Sequence, residues 1–152
     1  MEEEMKIRLN IPASQYEDVK NDLEKHGIEV SDDAPLVLSS AVGYSDWLEV
    51  RQDKEHLHIP VSDVIYIESY GHDVLVHTKD GTFNSSERLS YLEKTLDPSL
   101  FLRISNSVII ARKQVKKIKA AFTRKFTLTL SDGSEVDVTR TYYDLFRKEY
   151  GI

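Results

Sequence analysis

Cysteine is absent from this 152-residue chain. That excludes a disulfide framework, a thiolate metal site and a cysteine nucleophile. Long apolar runs are missing too: the longest, Val64–Ile67 and Val108–Ala111, are four residues, whereas a membrane span needs about 18. The opening Met1-Glu-Glu-Glu lacks the basic start of a secretory signal, so the expected location is the cytoplasm. The six glycines are scattered, mostly at turns, and form no Gly-rich phosphate loop, Gly-x-Ser-x-Gly elbow or Walker-type lysine. Nothing in the chain reads as an enzyme, and no cofactor or small-molecule substrate is implied.

What is present is a globular composition, 40% hydrophobic and 30% charged, in a length suited to one ordinary domain with a small appendage. The net charge of −6 is unevenly spread. Residues 1–44 hold four Lys/Arg against ten Asp/Glu, whereas residues 45–152 hold 16 of each and sum to zero. Within that neutral part, Arg103 to Ser131 carries eight bases and no acid. Screening confines a field to about 10 Å, so a neutral domain with one basic stripe still attracts a polyanion locally.

The first 44 residues read as a small β-α-β extension. Lys6–Ile11 alternates apolar and polar and is closed by Pro12. Ser14-Gln-Tyr-Glu17 has the spacing of a capping box, and Tyr16, Val19 and Leu23 fall on one helical face. Gly27 suits the left-handed position beyond the helix, Ile28–Val30 reads as a second strand, and Leu36–Leu38 adds a third. Such a unit is too small to bury a core unaided.

From Trp47 onward the signals are mainly β. Val64–Ile67 and Val74–His77 show little alternation, as expected of strands covered on both faces. Phe126–Leu130 alternates strictly, with Phe126, Leu128 and Leu130 inward. Asp80-Gly81 and Asp132-Gly133 mark hairpin turns, each leading into a short helical pattern: Leu89, Leu92 and Leu96, then Tyr142, Leu145 and Phe146. His56 and His58 would share one strand face, but no further ligand at metal-site spacing accompanies them.

The basic segment Arg112–Lys119 is punctuated by Val115 and Ile118, an apolar pair placed to anchor it while the cations stay in solvent. It reads either as a solvated face or as a strip contacting phosphates. The pattern around it favours the second reading: Phe101-Leu-Arg-Ile-Ser-Asn-Ser-Val-Ile-Ile110, then the basic segment, then Phe126 through Asp132-Gly133 to Val138-Thr-Arg140. Upstream come Ile65-Tyr-Ile-Glu-Ser69, Val74-Leu-Val-His77 and Glu87-Arg-Leu-Ser-Tyr-Leu92. In this order, over about residues 45–150, the pieces resemble the LytTR family of bacterial DNA-binding domains.

The resemblance implies a mainly β (α+β) domain over 45–152, made of small packed sheets with short helices and preceded by the acidic extension over 1–44. It implies a transcriptional regulator that binds double-stranded DNA at paired promoter repeats as a homodimer, reading major-groove bases through loops. Carried over by position, His72, Asn106 and Arg140 would meet base edges. Asn suits adenine N6 and N7, and Arg is the commonest partner of guanine O6 and N7. Arg103, Ser107 and Thr139 would hold phosphate oxygens, with Lys113, Lys116 and Lys117 as longer-range anchors.

Each assignment has a plainer counterpart. Asn106 could cap a turn, Arg140 could pair with Asp137 or Asp144, and Arg103 could pack along the sheet. The chain departs from the family at Ser105, usually His, and Asp73 places an acid beside His72. These departures weaken the residue assignments more than the resemblance itself, and they are what supports the alternative of a protein–protein regulatory module that has lost DNA binding. Residues 1–44 are too few for the five-stranded receiver domain common in the family, so aspartyl phosphorylation is not the expected switch. The extension could pair with its counterpart to form a dimer, with Lys6–Ile11 as an exposed pairing edge, bind a regulatory partner, or merely cap one sheet. Receiver-less members are often restrained by small membrane proteins, which the resemblance adds as a partner.

Overall fold

The computed structural model describes residues 5–40 and 44–152. The chain divides into two compact units, Met1–Tyr44 and Ser45–Ile152.

In the first unit, β1 (Lys6–Asn10) is followed by α1 (Ala13–Lys25), β2 (Glu29–Val30) and β3 (Leu36–Ser39). The strands form a parallel sheet in the order β2-β1-β3. The alternation of Lys6–Ile11 does produce a strand, but it is the central one, paired on both sides. Lys6–Ile11 is therefore not an exposed pairing edge; the edges of this sheet are β2 and β3. Pro12, not Ser14, occupies the position before α1, and no side chain caps the helix. Ser14 lies one residue inside the first turn, so the capping-box spacing is not used as a cap. Gly27, at φ +80°, closes the helix as its spacing predicts. Its N–H reaches Glu24 O, and the Ile28 N–H reaches Leu23 O at 3.1 Å, satisfying carbonyls that the helix end leaves free. No residue of α1 is buried, whereas Ile7 is.

The second unit is built on a seven-stranded antiparallel sheet. Its strands are β4 (Trp47–Gln52), β5 (Glu55–Pro60), β6 (Val64–Tyr70), β7 (Asp73–Thr78), β8 (Gly81–Ser85), β9 (Phe101–Arg103) and β10 (Val108–Ala111), in the order β5-β4-β8-β7-β6-β10-β9. Helix α2 (Leu89–Thr95) joins β8 to β9. A separate three-stranded sheet, β11 (Val115–Ala121), β12 (Lys125–Leu130) and β13 (Glu135–Val138), leads into α3 (Tyr143–Tyr150). Among the described residues, no helix is long and apolar enough to cross a membrane.

Strands β6, β10 and β9 separate two cores. On one side Val64, Ile67, Ile109 and Phe101 pack with Leu89, Leu92 and Leu96 of the α2 region. On the other, Ile65, Tyr66, Leu102 and Ile110 pack with Phe126, Leu128, Leu130 and Phe146. The double coverage explains why β6 shows no alternation. A register shift between Val64 and Tyr66 further sends Ile65 and Tyr66, adjacent in sequence, into the same core. Strand β12, with only one covered face, keeps its alternation.

Candidate nucleic-acid interface

Three connections meet at one end of the second unit, and backbone hydrogen bonds join them. The first is the β6–β7 hairpin, in which Tyr70 and Asp73 pair across Gly71 and His72. Gly71 takes φ +63°, the positive value that a two-residue turn of this kind needs at its first central position. The second is the 104–107 segment between β9 and β10. The third follows β13, where Thr139 leads into a 3-10 turn over Arg140–Tyr142. The Ser69 N–H donates to Ser107 O at 2.8 Å, tying the first to the second. The Thr139 N–H donates to Ile104 O at 3.0 Å, tying the third to the second.

The central segment is held from inside. Arg103 donates from Nε to Ser105 O at 3.0 Å, from Nη2 to Asn106 O at 2.6 Å, and from Nη1 to the Glu93 carboxylate at 2.6 Å. Its side chain is only 16% exposed. The guanidinium is thus committed to two loop carbonyls and to α2, the structural use that was open for it. Ser105 is buried, and its hydroxyl accepts from the Ser107 N–H at 3.2 Å. The departure from the family's usual His at this position therefore lies in the loop's interior.

On this frame Asn106, Ser107, His72 and Arg140 are exposed, and Thr139 is partly so. The Asn106 side chain reaches across to the third connection, where the Tyr142 hydroxyl donates to its Oδ1 at 3.2 Å. That bond orients the amide and leaves its NH₂ donors free of the contact. Arg140 forms no ion pair among the described residues. Asp144 is taken instead by Arg124, whose Nη2 lies 2.7 Å from each carboxylate oxygen, and Asp137 accepts from the Thr127 hydroxyl at 3.0 Å. Tyr143 buttresses this end by stacking on Phe126 at 4.8 Å beneath the Arg124 guanidinium. His72 borders a polar recess of about 360 Å³ that also holds Arg51, Asp53, Asp73 and Asn84, so a cation accompanies the acid beside it.

The lysines are placed differently. Lys113, Lys116 and Lys117 are exposed and lie in or beside β11, an edge strand that pairs with β12 alone among the described residues. Lys117 shares its row with Thr129 and Glu135, whereas Ala120 shares the row of Phe126 and Val138 that precedes Thr139. Lys117 is therefore about 10 Å along the sheet from the row of Val138, at about 3.3 Å per residue, and the Arg140 turn begins two residues beyond Val138. Lys113 follows β10 and sits at the opposite end of that strand from Ser107. Ile118 is exposed and does not anchor the strip as its pattern predicts; Val115 is partly buried.

Sequence reasoning missed several neighbours of the three connections. Lys119 stands one row from Val138, opposite Thr127 and Asp137. Tyr142 carries the bond to Asn106, for which its place two residues beyond Arg140 is the only sequence signal. Phe122, fully exposed on the β11–β12 turn, and Arg51 in the His72 recess gave no signal at all. Of the eight stripe bases, Arg112 is also internal, donating to Pro98 O at 2.9 Å and to Glu149 at 2.9 Å. Burial raises the pKa of the Tyr150 hydroxyl, against the opposing charge of Arg112, and this hydroxyl donates to Arg112 O. Burial likewise raises that of Tyr66. Among the described residues, no group of three or more His, Asp or Glu is placed to hold a metal ion, and His56 lies 3.4 Å from Glu49.

Residues 54–151 match the family model described as the LytTr DNA-binding domain. The chain is 31% identical over 90 residues to the sensory transduction protein LytT of Bacillus subtilis, covering 59% of this chain and 37% of that protein. It is 28% identical over 117 residues to the transcriptional regulatory protein LytR of Staphylococcus aureus, covering 77% of this chain and 48% of that protein. The chain thus spans less than half the length of these curated relatives. A solved LytTr DNA-binding domain from Bacillus cereus superposes with a TM-score of 0.68 at 24% identity, over 71% of this chain and 99% of that one, which shows the same fold. On the match over residues 54–151, the chain belongs to the LytTr DNA-binding domain family.

Proposed function

We propose that the Ser45–Ile152 unit binds double-stranded DNA site-specifically and that the protein regulates transcription, acting on paired repeats. The observation that carries this reading is the hydrogen-bonded set of three connections, which presents His72, Asn106 and Arg140, the last without an ion pair among the described residues, from one end of the domain. His72 and Asn106 stand in loops and Arg140 in the 3-10 turn ahead of α3, so connections do the reading, not the face of a helix. Asn106, oriented by Tyr142, offers an acceptor and a donor to adenine, and the free Arg140 fork fits guanine O6 and N7. The exposed His72 meets a base edge from the hairpin turn.

Around these, the Ser107 and Thr139 hydroxyls serve as phosphate contacts. Lys113, Lys116 and Lys117 act at longer range, neutralising phosphates and releasing counterions. Arg103 contributes by positioning: its bonds fix Asn106 and Ser107 before DNA arrives, which removes an ordering cost from binding.

The test is selection of a preferred sequence from random duplexes by the full chain, followed by salt-dependent titrations of wild type, Arg140→Ala and Lys116→Ala. Arg140→Ala is expected to lose about 1–3 kcal/mol on the selected site and to relax preference at one base position. Lys116→Ala should weaken all duplexes alike and lower the salt slope by about 1. If no sequence is enriched and all three proteins bind weakly and equally, base readout is wrong. The domain would then be a protein-binding module on the same fold.

A further inference from the structure

The N-terminal unit carries an apolar strand edge whose geometry matches itself. Strand β3 reads Leu36-Val-Leu-Ser39 and, among the described residues, pairs with β1 alone. Leu36 is 55% exposed, Val37 44% and Leu38 40%. Native sheets guard such edges with lysine, proline, a bulge or a covering element. Strand β3 has no charge within it, and Pro35 stands only at its start.

The ladder defines which backbone groups are free. The Glu29 N–H donates to Met5 O and the Ser31 N–H to Ile7 O, so the odd-numbered residues of this part of β1 face β2. Successive residues of a strand point their N–H and C=O to opposite sides, so Lys6, Arg8 and Asn10 face β3. Arg8 is in register with Val37. In a parallel pair it bonds the residues that flank its partner, here Leu36 and Leu38. The N–H and C=O of Val37 and Ser39 therefore point away from β1.

We propose that β3 pairs antiparallel with β3 of a second copy of this chain, about a two-fold axis through Val37, giving a continuous six-stranded sheet across the dimer. In that register the two Val37 residues exchange both of their backbone hydrogen bonds, and each Ser39 N–H donates to the Pro35 C=O of the other copy. Leu36 lies opposite Leu38 of the partner copy, so like meets like and no charge is buried. Leu36 and Leu38 share a face with Ile7 and Leu9, which extends the small apolar layer of each unit across the axis. A second copy fits better than a foreign strand because an isologous contact needs this self-matching and nothing else.

The strength and salt response follow from size and charge. Five residues a side fall well short of the roughly 800 Å² per partner of a standard interface, so the free protein should exchange between monomer and dimer. Residues 1–44 carry a net charge of −6, so two such units repel, and added salt should tighten the dimer. DNA binding responds to salt in the opposite sense. This inference deepens the paired-repeat reading, but self-association needs no DNA and is measured without it.

The experiment is sedimentation equilibrium of the full chain at low and high salt, for wild type, Val37→Pro and Val37→Thr. Proline is tolerated where an edge N–H faces solvent, so Val37→Pro removes the pairing donor and leaves the ladder to β1 intact. Val37→Thr keeps strand propensity and the N–H. The expected result is concentration-dependent dimerisation that tightens with salt, is retained by Val37→Thr and is weakened at least tenfold by Val37→Pro. Circular dichroism of Val37→Pro should match wild type; should it not, Ser39→Pro, which removes the other outward N–H, takes its place. A strictly monomeric wild type, a dimer indifferent to both prolines, or one that loosens with salt would each overturn the proposal. Loss of DNA selection with dimerisation intact would instead count against the DNA reading alone.

Discussion

The loop end and the lysine flank of the Ser45–Ile152 unit both offer polar groups to solvent, yet they are built in opposite ways. At the loop end every connection is braced: Arg103 holds two carbonyls of the 104–107 segment, Thr139 and Ser69 lock onto it from either side, and Tyr142 orients Asn106. Along β11 the lysines extend from an edge strand and form no ion pair among the described residues, and Glu135 and Asp137 lie in the same rows two strands away. Geometry is fixed where discrimination between bases would be needed, and charge is left loose where only attraction is needed. Hydrogen-bond readout depends on angle and distance, whereas a screened field does not.

That contrast can be broken most forcefully from beneath. Ile104 is fully buried under the loop end, and Ile104→Ala should cost about 2–5 kcal/mol of stability. Thermal unfolding would show the loss, and selectivity between DNA sequences should collapse faster than non-specific binding.

A smaller change acts on orientation alone. Tyr142→Phe deletes the hydroxyl that donates to Asn106 and should cost about 0.5–1.5 kcal/mol on the preferred site. Binding to random duplex should stay the same. Equal losses on both duplexes would mean that the bond does not set readout.

The smallest effects belong to the lysine flank. Lys117→Ala should lower the salt slope by about 1 on any duplex. Glu135→Gln, in the same row, should raise non-specific affinity slightly. Opposite signs from these neighbours would show that the acid offsets the strip; identical behaviour would place the DNA elsewhere.

Much of the fold was legible in the chain because it rests on local patterns. The alternation of Phe126–Leu130, the leucine spacing of α2, the Asp132-Gly133 turn and the glycine beyond α1 each specify their own surroundings. What was illegible depends on pairing order. Alternation makes Lys6–Ile11 a strand but carries no information on whether one neighbour or two will bond to it. The acid-free run from Arg103 to Ser131 looked like a basic stripe, yet β13 returns Glu135 and Asp137 to its side. Arginines are the other lesson, since Arg103, Arg112 and Arg124 each spend their guanidinium groups on a carboxylate of the same unit. In the candidate site, sequence pattern proposes Asn106 and Arg140, while the bond from Tyr142 that orients Asn106 spans 36 residues and has no local signature.

The three connections are fastened chiefly through the backbone, by the Ser69 to Ser107 and Thr139 to Ile104 bonds. A main-chain bond is indifferent to which side chain the residue carries. If the residues at 72, 106 and 140 read bases as proposed, they are interchangeable teeth on a fixed bit: swapping them would change the operator recognised, with no redesign of the frame. The same independence makes this end a convenient place to re-engineer recognition, since altered contacts there carry little risk to folding.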